Sequence, residues 1–200
     1  MKKEEILAEA LKTLRAGGLI LYPTDTIWGI GCDATNPEAV ARVFALKRRS
    51  DAKSLILLAD SLDTVARYVK EIPSIAVDLV EVNDSPMTLI YPGAIAGTPD
   101  APGDRWHLAW NAVAEDGSVG FRIPQMDFCK ELIFKLGRPI VSTSANLSGE
   151  ASPQRFSGIA PEIKDGVDFV VPPSMDTQSS GKASQIIKLG LRGEVEIIRM

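Results

Sequence analysis

Three short stretches of this 200-residue chain carry side chains that hold anions and polar edges: Thr24-Asp25-Thr26 in "YPTDTIWG", Lys47, Arg48, Arg49 and Lys53 in "ALKRRSDAK", and Ser142, Ser144, Asn146 and Ser148 in "PIVSTSANLSG", followed by Ser152. A fourth, "SVGFRIP", sets Arg122 inside an apolar run. Each has a plain structural reading. Thr, Asp, Ser and Asn are turn residues because their short side chains bond the local backbone. Cations at a helix C-terminus are favoured by the macrodipole, and a buried arginine pairs with an acid such as Asp25. The chemical reading is sharper. Lys47 and Arg49 converge on one anion if the helix unwinds there, with Lys53 closing the loop over a polyphosphate. Arg122 then faces an anionic ligand, and the hydroxyl cluster supplies donors. Neither G-x-x-x-x-G-K-[ST] nor G-x-G-x-x-G occurs, so the usual backbone cradles for nucleotides are missing. The pieces together describe a concave site that is cationic, rich in hydroxyls and poor in general bases. Such a site suits positioning and electrostatic stabilisation of a phosphoryl or nucleotidyl transfer better than proton abstraction.

Composition narrows the classes further. With 45% hydrophobic and 24% charged residues the chain reads as soluble and globular, large enough for one substantial core. A net charge of -4 restricts any nucleic-acid contact to a local patch. His107 is the only histidine and lies in "DRWHLAWN", which has no nucleophile motif, so it reads as a surface or structural residue rather than a catalytic base. Cys32 and Cys129 lack C-x-x-C spacing and read as reduced thiols, with no disulfide or metal site. The N-terminus "MKKEEILAEALKTLRAGG" has no continuous apolar region, which predicts neither a signal peptide nor a membrane span, and a cytoplasmic protein.

The elements that must position these groups follow from periodicity. Ile6, Leu7, Ala10, Leu11 and Leu14 predict a helix over 4–16 stopped at Gly17-Gly18. "LILYP" predicts a buried strand ending at Pro23, with "IWGIGCDA" after the TDT loop. Asn36 as N-cap and Pro37 at the first position predict a helix over "NPEAVARVFALK". "SLILLA", "MTLIY", "SVGFRIP" and "PIVST" read as strands, with helices at 61–70, 74–82 and "MDFCKELIFKLG". "FSGIAPEIKDG" reads as a short helical turn, "VDFVVP" as a strand, and "ASQIIKL" with "EVEIIRM" as a terminal pair. Residues 94–117 show no period and read as a loop or locally folded excursion. Residues 174–182, "SMDTQSSGK", read as the most flexible stretch, a lid or a linker. Irregular alternation of strands and helices predicts a single-domain α/β fold with a twisted, mixed parallel and antiparallel sheet and helices around the concave cavity.

In this order, "LYPTDTIWGIG", "LKRR" with its following lysine, "SPMTLIYPG", "VGFRIP", "PIVSTSANLSG" and the later "SP" resemble the YrdC/TsaC family, the L-threonylcarbamoyladenylate synthases. The matches run from about residue 19 to 153, with the K-x-R signature at Lys47-Arg48-Arg49 and S-x-N at Ser144-Ala145-Asn146. The resemblance implies the YrdC-like α/β twist over residues 1–200 without an additional C-terminal domain. It implies an adenylyl transfer that joins L-threonine, bicarbonate or carbon dioxide, and ATP into threonylcarbamoyl-AMP and pyrophosphate. Mg2+ is expected with the phosphates, without a dedicated protein cage. The product would feed N6-threonylcarbamoyladenosine formation in tRNA through downstream threonylcarbamoyl-transfer proteins. Carried over residue by residue, Thr26, Arg122, Ser142 and Ser184 would hold threonine. Lys47 and Arg49 would be catalytic and, with Lys53, bind the phosphates, while Ser118, Ser144, Asn146, Ser152 and Arg199 would hold the nucleotide. The chain departs from the pattern at Ser50 and Ser54, where the family carries proline, at Asp84-Ser85 in place of proline-glycine, and at Leu58 in place of histidine. Asp84 would place a negative charge near a wall of the cavity. The alternative is a non-catalytic protein of the same fold that binds double-stranded RNA or tRNA in the cationic cavity. A carbamoyl-adenylate step in metallocluster maturation is disfavoured by the chain's length and its lack of zinc-finger-like cysteines.

Overall fold

The structure, a computed structural model, describes residues 1–48 and 55–200. Helix α1 (Lys3–Arg15) forms where the apolar stripe predicts it: Ile6, Leu7, Ala10, Leu11 and Leu14 are all buried, with Glu4 and Glu5 in the first turn and Lys12 and Arg15 in the last. The Asn36 side chain accepts the Glu38 and Ala39 N–H groups at 3.0 and 3.1 Å, and Pro37 opens helix α2 (Pro37–Leu46). Helices α3 (Leu62–Ala66) and α4 (Ser74–Val82) follow. Helix α5 (Asp127–Leu136) ends at Gly137, whose φ of 72° is the left-handed stop that glycine adopts without strain; α6 (Pro161–Asp165) is a short turn of helix.

Nine strands join these helices among the described residues: β1 (Ile20–Tyr22), β2 (Gly29–Gly31), β3 (Ile56–Leu58), β4 (Met87–Tyr91), β5 (Val119–Arg122), β6 (Ile140–Ser144), β7 (Phe169–Val170), β8 (Gln185–Leu189) and β9 (Val195–Arg199). They form one sheet in the order β7-β1-β2-β6-β3-β5-β4-β8-β9. The pairs β1–β7, β3–β5 and β4–β8 are parallel and the others antiparallel, so the sheet is mixed as expected.

Register separates the two faces, because cross-strand partners project to the same side. On one face Leu21, Ile30, Leu57, Leu89, Phe121 and Val141 form a core with Ala39, Val40 and Val43 of α2 and Val65 of α3. On the other, Ile20, Tyr22, Leu58 and Ile140 pack under α1 and α5. That helical cover reaches only part of the second face. Ile140 of β6 lies beneath it, and two and four residues on, the same face carries Ser142 and Ser144, both only half-buried.

Some elements differ from their sequence reading. Helix α3 stops well short of residue 70, because Val69 leaves it to bridge to Ala94 and Tyr68 is buried in the core. The excursion at 94–117 is folded: Leu108, Ala109 and Ala112 are buried, Leu108 N–H bonds Ile95 O at 2.9 Å, and Ala109 N–H bonds Ala34 O at 2.8 Å. Asn111 also donates to Pro37 O at 2.9 Å, fastening the excursion to the start of α2. His107 pairs with Asp104 at 3.0 Å on the surface, in keeping with a structural histidine. Cys32 and Cys129 are buried free thiols whose pKa values burial raises. Among the described residues no helix is long and apolar enough to cross a membrane.

All three tyrosines, Tyr22, Tyr68 and Tyr91, are buried. Burial pushes the Tyr68 phenol up to about 12, and those of Tyr22 and Tyr91 rise further. Unfolded phenols ionise near about 10, so the unfolded chain loses protons there while the native one retains them. Stability is therefore complete below about pH 10 and falls as pH rises toward 12, by about 1.4 kcal/mol per pH unit for each phenol held neutral. Alkaline titration should show phenolate absorbance appearing together with loss of circular dichroism. Phenolate growing near pH 10 with the fold intact would contradict this packing.

Candidate active site

Where α1 and α5 end, the exposed sheet face becomes the floor of a cavity of about 640 Å3. Two cross-strand rows pass through that floor. One runs Leu58–Arg122–Thr88–Ile186–Arg199, the other Ser142–Ile56–Gly120–Ile90–Lys188. Ile56, Ile90 and Ile186 supply an apolar base, and Gly120 leaves a gap between Ile56 and Ile90. A Cβ there would meet only Thr88 Cγ2 at 3.4 Å and Ile90 Cγ1 at 3.8 Å, ordinary contact distances. Loops raise the walls: Thr26 to Gly29, Ala114, Ser152, and Ala183 with Ser184.

The cavity gathers Thr26, Arg122, Ser142 and Ser144 of β6, Ser152, Ser184 and Arg199 from several strands and loops. Among the described residues that line it, two are arginines and none is acidic. Arg122 is 3% exposed, and its Nη1 donates to Asp25 Oδ1 while Nη2 donates to Thr24 Oγ1 at 3.3 Å. Asp25 also accepts the Gln125 N–H at 2.9 Å, so the carboxylate is paired and hydrogen-bonded. A guanidinium has five N–H donors, and Arg122 thus meets both readings of the sequence at once: it pairs with Asp25 and it lines the cavity. The Thr24 and Thr26 hydroxyls bond each other at 2.9 Å. Ser184 Oγ bonds Thr88 Oγ1 at 2.8 Å, and Ser184 O accepts Arg199 Nε and Nη2 at 2.9 and 2.7 Å. Burial lowers the Arg199 pKa from its ordinary value.

Three expected site residues stand outside the lining. Lys47 is 3% exposed, and its ammonium donates to Ser144 O, to Asn146 O at 2.8 Å and to Asn146 Oδ1 at 3.3 Å. It therefore holds the S-x-N turn from beneath. Asn146 is engaged in that turn, its amide donating to Leu147 O and Glu150 O at 3.1 and 2.7 Å. The Ser118 hydroxyl donates to Asp116, which also pairs with Lys188 at 2.8 Å; these two contacts hold the Asp116 carboxyl well below the usual range. Arg49 and Lys53, with Ser50 and Ser54, lie outside the described residues. Asp84 is exposed and absent from the cavity lining, its neighbours Asn83 and Ser85 facing a separate small cavity, which corrects the expectation of a negative charge near the wall. Leu58 is fully buried under α1 and α5, where apolar packing suits leucine.

The segment expected to be flexible is tied down. Ser180 N–H bonds Asp25 O at 3.1 Å, Gly181 N–H bonds Thr26 O at 2.8 Å, and Ser179 Oγ donates to Thr26 O at 2.8 Å. Sequence reasoning missed this strap because the acceptors are backbone carbonyls, which every residue carries.

A family profile for Sua5/YciO/YrdC, described as telomere recombination, matches residues 12–200. The chain belongs to the Sua5/YciO/YrdC family. A Sua5/YciO/YrdC relative from Stenotrophomonas maltophilia (strain K279a), named threonylcarbamoyl-AMP synthase, is 33% identical over 194 residues, 96% of this chain and 98% of its own. One of the same name from Pseudoalteromonas translucida (strain TAC 125) is 30% identical over 200 residues, covering 98% of each chain. The crystal structure of P. abyssi Sua5 complexed with L-threonine is similar with a TM-score of 0.73 at 27% identity; the match covers 94% of this chain and 52% of that one, about half of the longer protein. The α/β twist of the Sua5/YciO/YrdC family is thus the architecture described above.

Proposed function

We propose that this chain is an L-threonylcarbamoyladenylate synthase. The observation that carries the reading is the composition of the cavity: two arginines, the hydroxyls of Thr26, Ser142, Ser144, Ser152 and Ser184, and no acid, histidine or cysteine among the lining residues described. Relatives of that name and a threonine-bound relative support it. The threonine amine adds to carbon dioxide and releases a proton to solvent. A carbamate oxygen then attacks the α-phosphorus of ATP, the bond from that phosphorus to the bridging oxygen breaks, and pyrophosphate leaves. The step needs no strong protein base. It needs two substrates held in line and the developing charge matched by fixed donors.

In this reading Thr26, Ser142, Ser184 and the remaining donors of Arg122 hold threonine, with Arg122 on its carboxylate. Ser144, Ser152 and Arg199 hold the nucleotide, and Ser118 joins them if its bond to Asp116 yields. Lys47 keeps Ser144 and Asn146 in place, while Arg49 and Lys53 bind the phosphates by the K-x-R resemblance. Among the described residues no group of three His, Cys, Asp or Glu side chains is placed to hold a metal. A Mg2+ would take its oxygens mainly from the triphosphate and water, where it neutralises phosphate charge. The product is a mixed anhydride suited to transfer onto a tRNA adenosine by partner proteins, and in this reading the chain serves tRNA modification in the cytoplasm.

The test is pyrophosphate release from ATP with Mg2+, with and without L-threonine and bicarbonate. Release that requires both is expected. Binding of ATP or double-stranded RNA without release would replace this reading with the non-catalytic one.

A further inference from the structure

Trp28 joins the loops that wall the cavity. Its side chain is fully buried, its ring lies 4.8 Å from that of Phe156 just beyond Ser152, and its carbonyl accepts the Ala145 N–H at 3.2 Å within the S-x-N turn. A buried indole N–H needs an acceptor. Asp176 supplies it: Trp28 Nε1 donates to Asp176 Oδ2 at 2.7 Å. The other carboxylate oxygen accepts the Ser179 N–H at 3.3 Å, and Ser179 Oγ donates to Thr26 O at 2.8 Å. The circuit Trp28–Asp176–Ser179–Thr26 thus closes through one carboxylate, with Gly181 N–H reinforcing it on Thr26 O at 2.8 Å. No motif in the family resemblance includes Asp176.

We propose that Asp176 is a positioning residue that latches the 176–181 strap to the TDT loop and so fixes Thr26 and Trp28 at the threonine end of the cavity. The substrate named here rests on the function proposed above; the latch rests on the hydrogen bonds alone. Thr26 reaches the strap through its carbonyl, while its side chain lines the cavity with its hydroxyl bonded to that of Thr24. Arg199, assigned to the nucleotide, is fastened to Ser184, with no bond to the circuit among the described residues. Trp28 meets the nucleotide side through the Ala145 N–H and the Phe156 ring, whereas Thr26 takes its bonds directly from the strap, so loss of Asp176 should fall far more heavily on threonine than on ATP.

Asp176→Ala is expected to raise KM for L-threonine about tenfold, the effect of one charge-assisted hydrogen bond, with KM for ATP within about twofold. Asp176→Asn keeps an acceptor oxygen and should recover most of the loss. Hydrogen exchange in the same variants, without substrates, should accelerate in residues 24–28 and 176–182 together for Asp176→Ala. Equal increases in both KM values, or unchanged KM for threonine, would overturn the positioning role. Unchanged exchange in 24–28 would overturn the latch itself. Wild-type protein that releases no pyrophosphate with threonine would instead overturn the proposed function and the substrate assignment, while the exchange result still decides the latch.

Discussion

Arg122→Ala is expected to lower the urea midpoint and abolish threonine-dependent pyrophosphate release in one substitution. The guanidinium and the Asp25 carboxylate are 3% and 5% exposed and bonded to each other. Removing the cation leaves a buried carboxylate with the Gln125 N–H on its far oxygen and no opposing charge from position 122. Breaking one side of such a pair costs about 3–5 kcal/mol, a large part of the about 5–15 kcal/mol by which a domain is stable. Arg122→Lys separates the two roles. It keeps a cation beside Asp25 and should restore most of the midpoint, yet it loses the planar fork that can engage Asp25, Thr24 and a carboxylate together, so turnover should stay low. A midpoint unchanged in Arg122→Ala would show that the pair contributes nothing to the fold. Full turnover in Arg122→Lys would show that charge alone suffices in the cavity.

Lys47→Met should lower kcat/KM by about 10²–10³-fold, equivalent to about 2.7–4 kcal/mol of transition-state stabilisation. Methionine retains most of the buried stem and removes the ammonium that gathers Ser144 O, Asn146 O and Asn146 Oδ1. A lysine acting only on phosphates would leave the S-x-N turn ordered when replaced. The structure predicts otherwise: hydrogen exchange in residues 144–150 should accelerate along with the loss of activity. Activity lost with that turn unchanged would assign Lys47 wholly to the phosphates, and activity retained would remove it from the machinery.

The parts of the fold governed by local chemistry were legible in the sequence. The stripe of α1, the Asn36-Pro37 start of α2 and the Gly137 stop of α5 each rest on a few neighbouring residues. The convergence of Thr26, Arg122, Ser142, Ser144 and Ser152 was legible through the ordered motifs, and that of Ser184 only through the wider resemblance, since single residues such as Ser152 or Ser184 have no local signal that separates a ligand from a turn. Other features were hidden for physical reasons. The strap looked mobile because Ser, Gly and Thr dominate it, yet its order comes from donors that meet the carbonyls of Asp25 and Thr26 from about 150 residues away in the chain. Lys47 looked like a free cation because nothing in its own segment shows the carbonyls of residues 144 and 146 arriving beside it. The excursion at 94–117 had no period because it is built of short turns and bridges, such as Leu108 N–H to Ile95 O, fastened to Ala34, Pro37 and Tyr68 rather than of one repeating element.

Gly120 gives the hollow a measure of its own. It stands in the floor row between Ile56 and Ile90, with room for a methyl group above it. Part of the space available to a substrate is therefore a side chain that this position does without. A methyl group introduced there would occupy that space at ordinary contact distance from Thr88 and Ile90 and would add no polar group, so position 120 tunes capacity separately from chemistry.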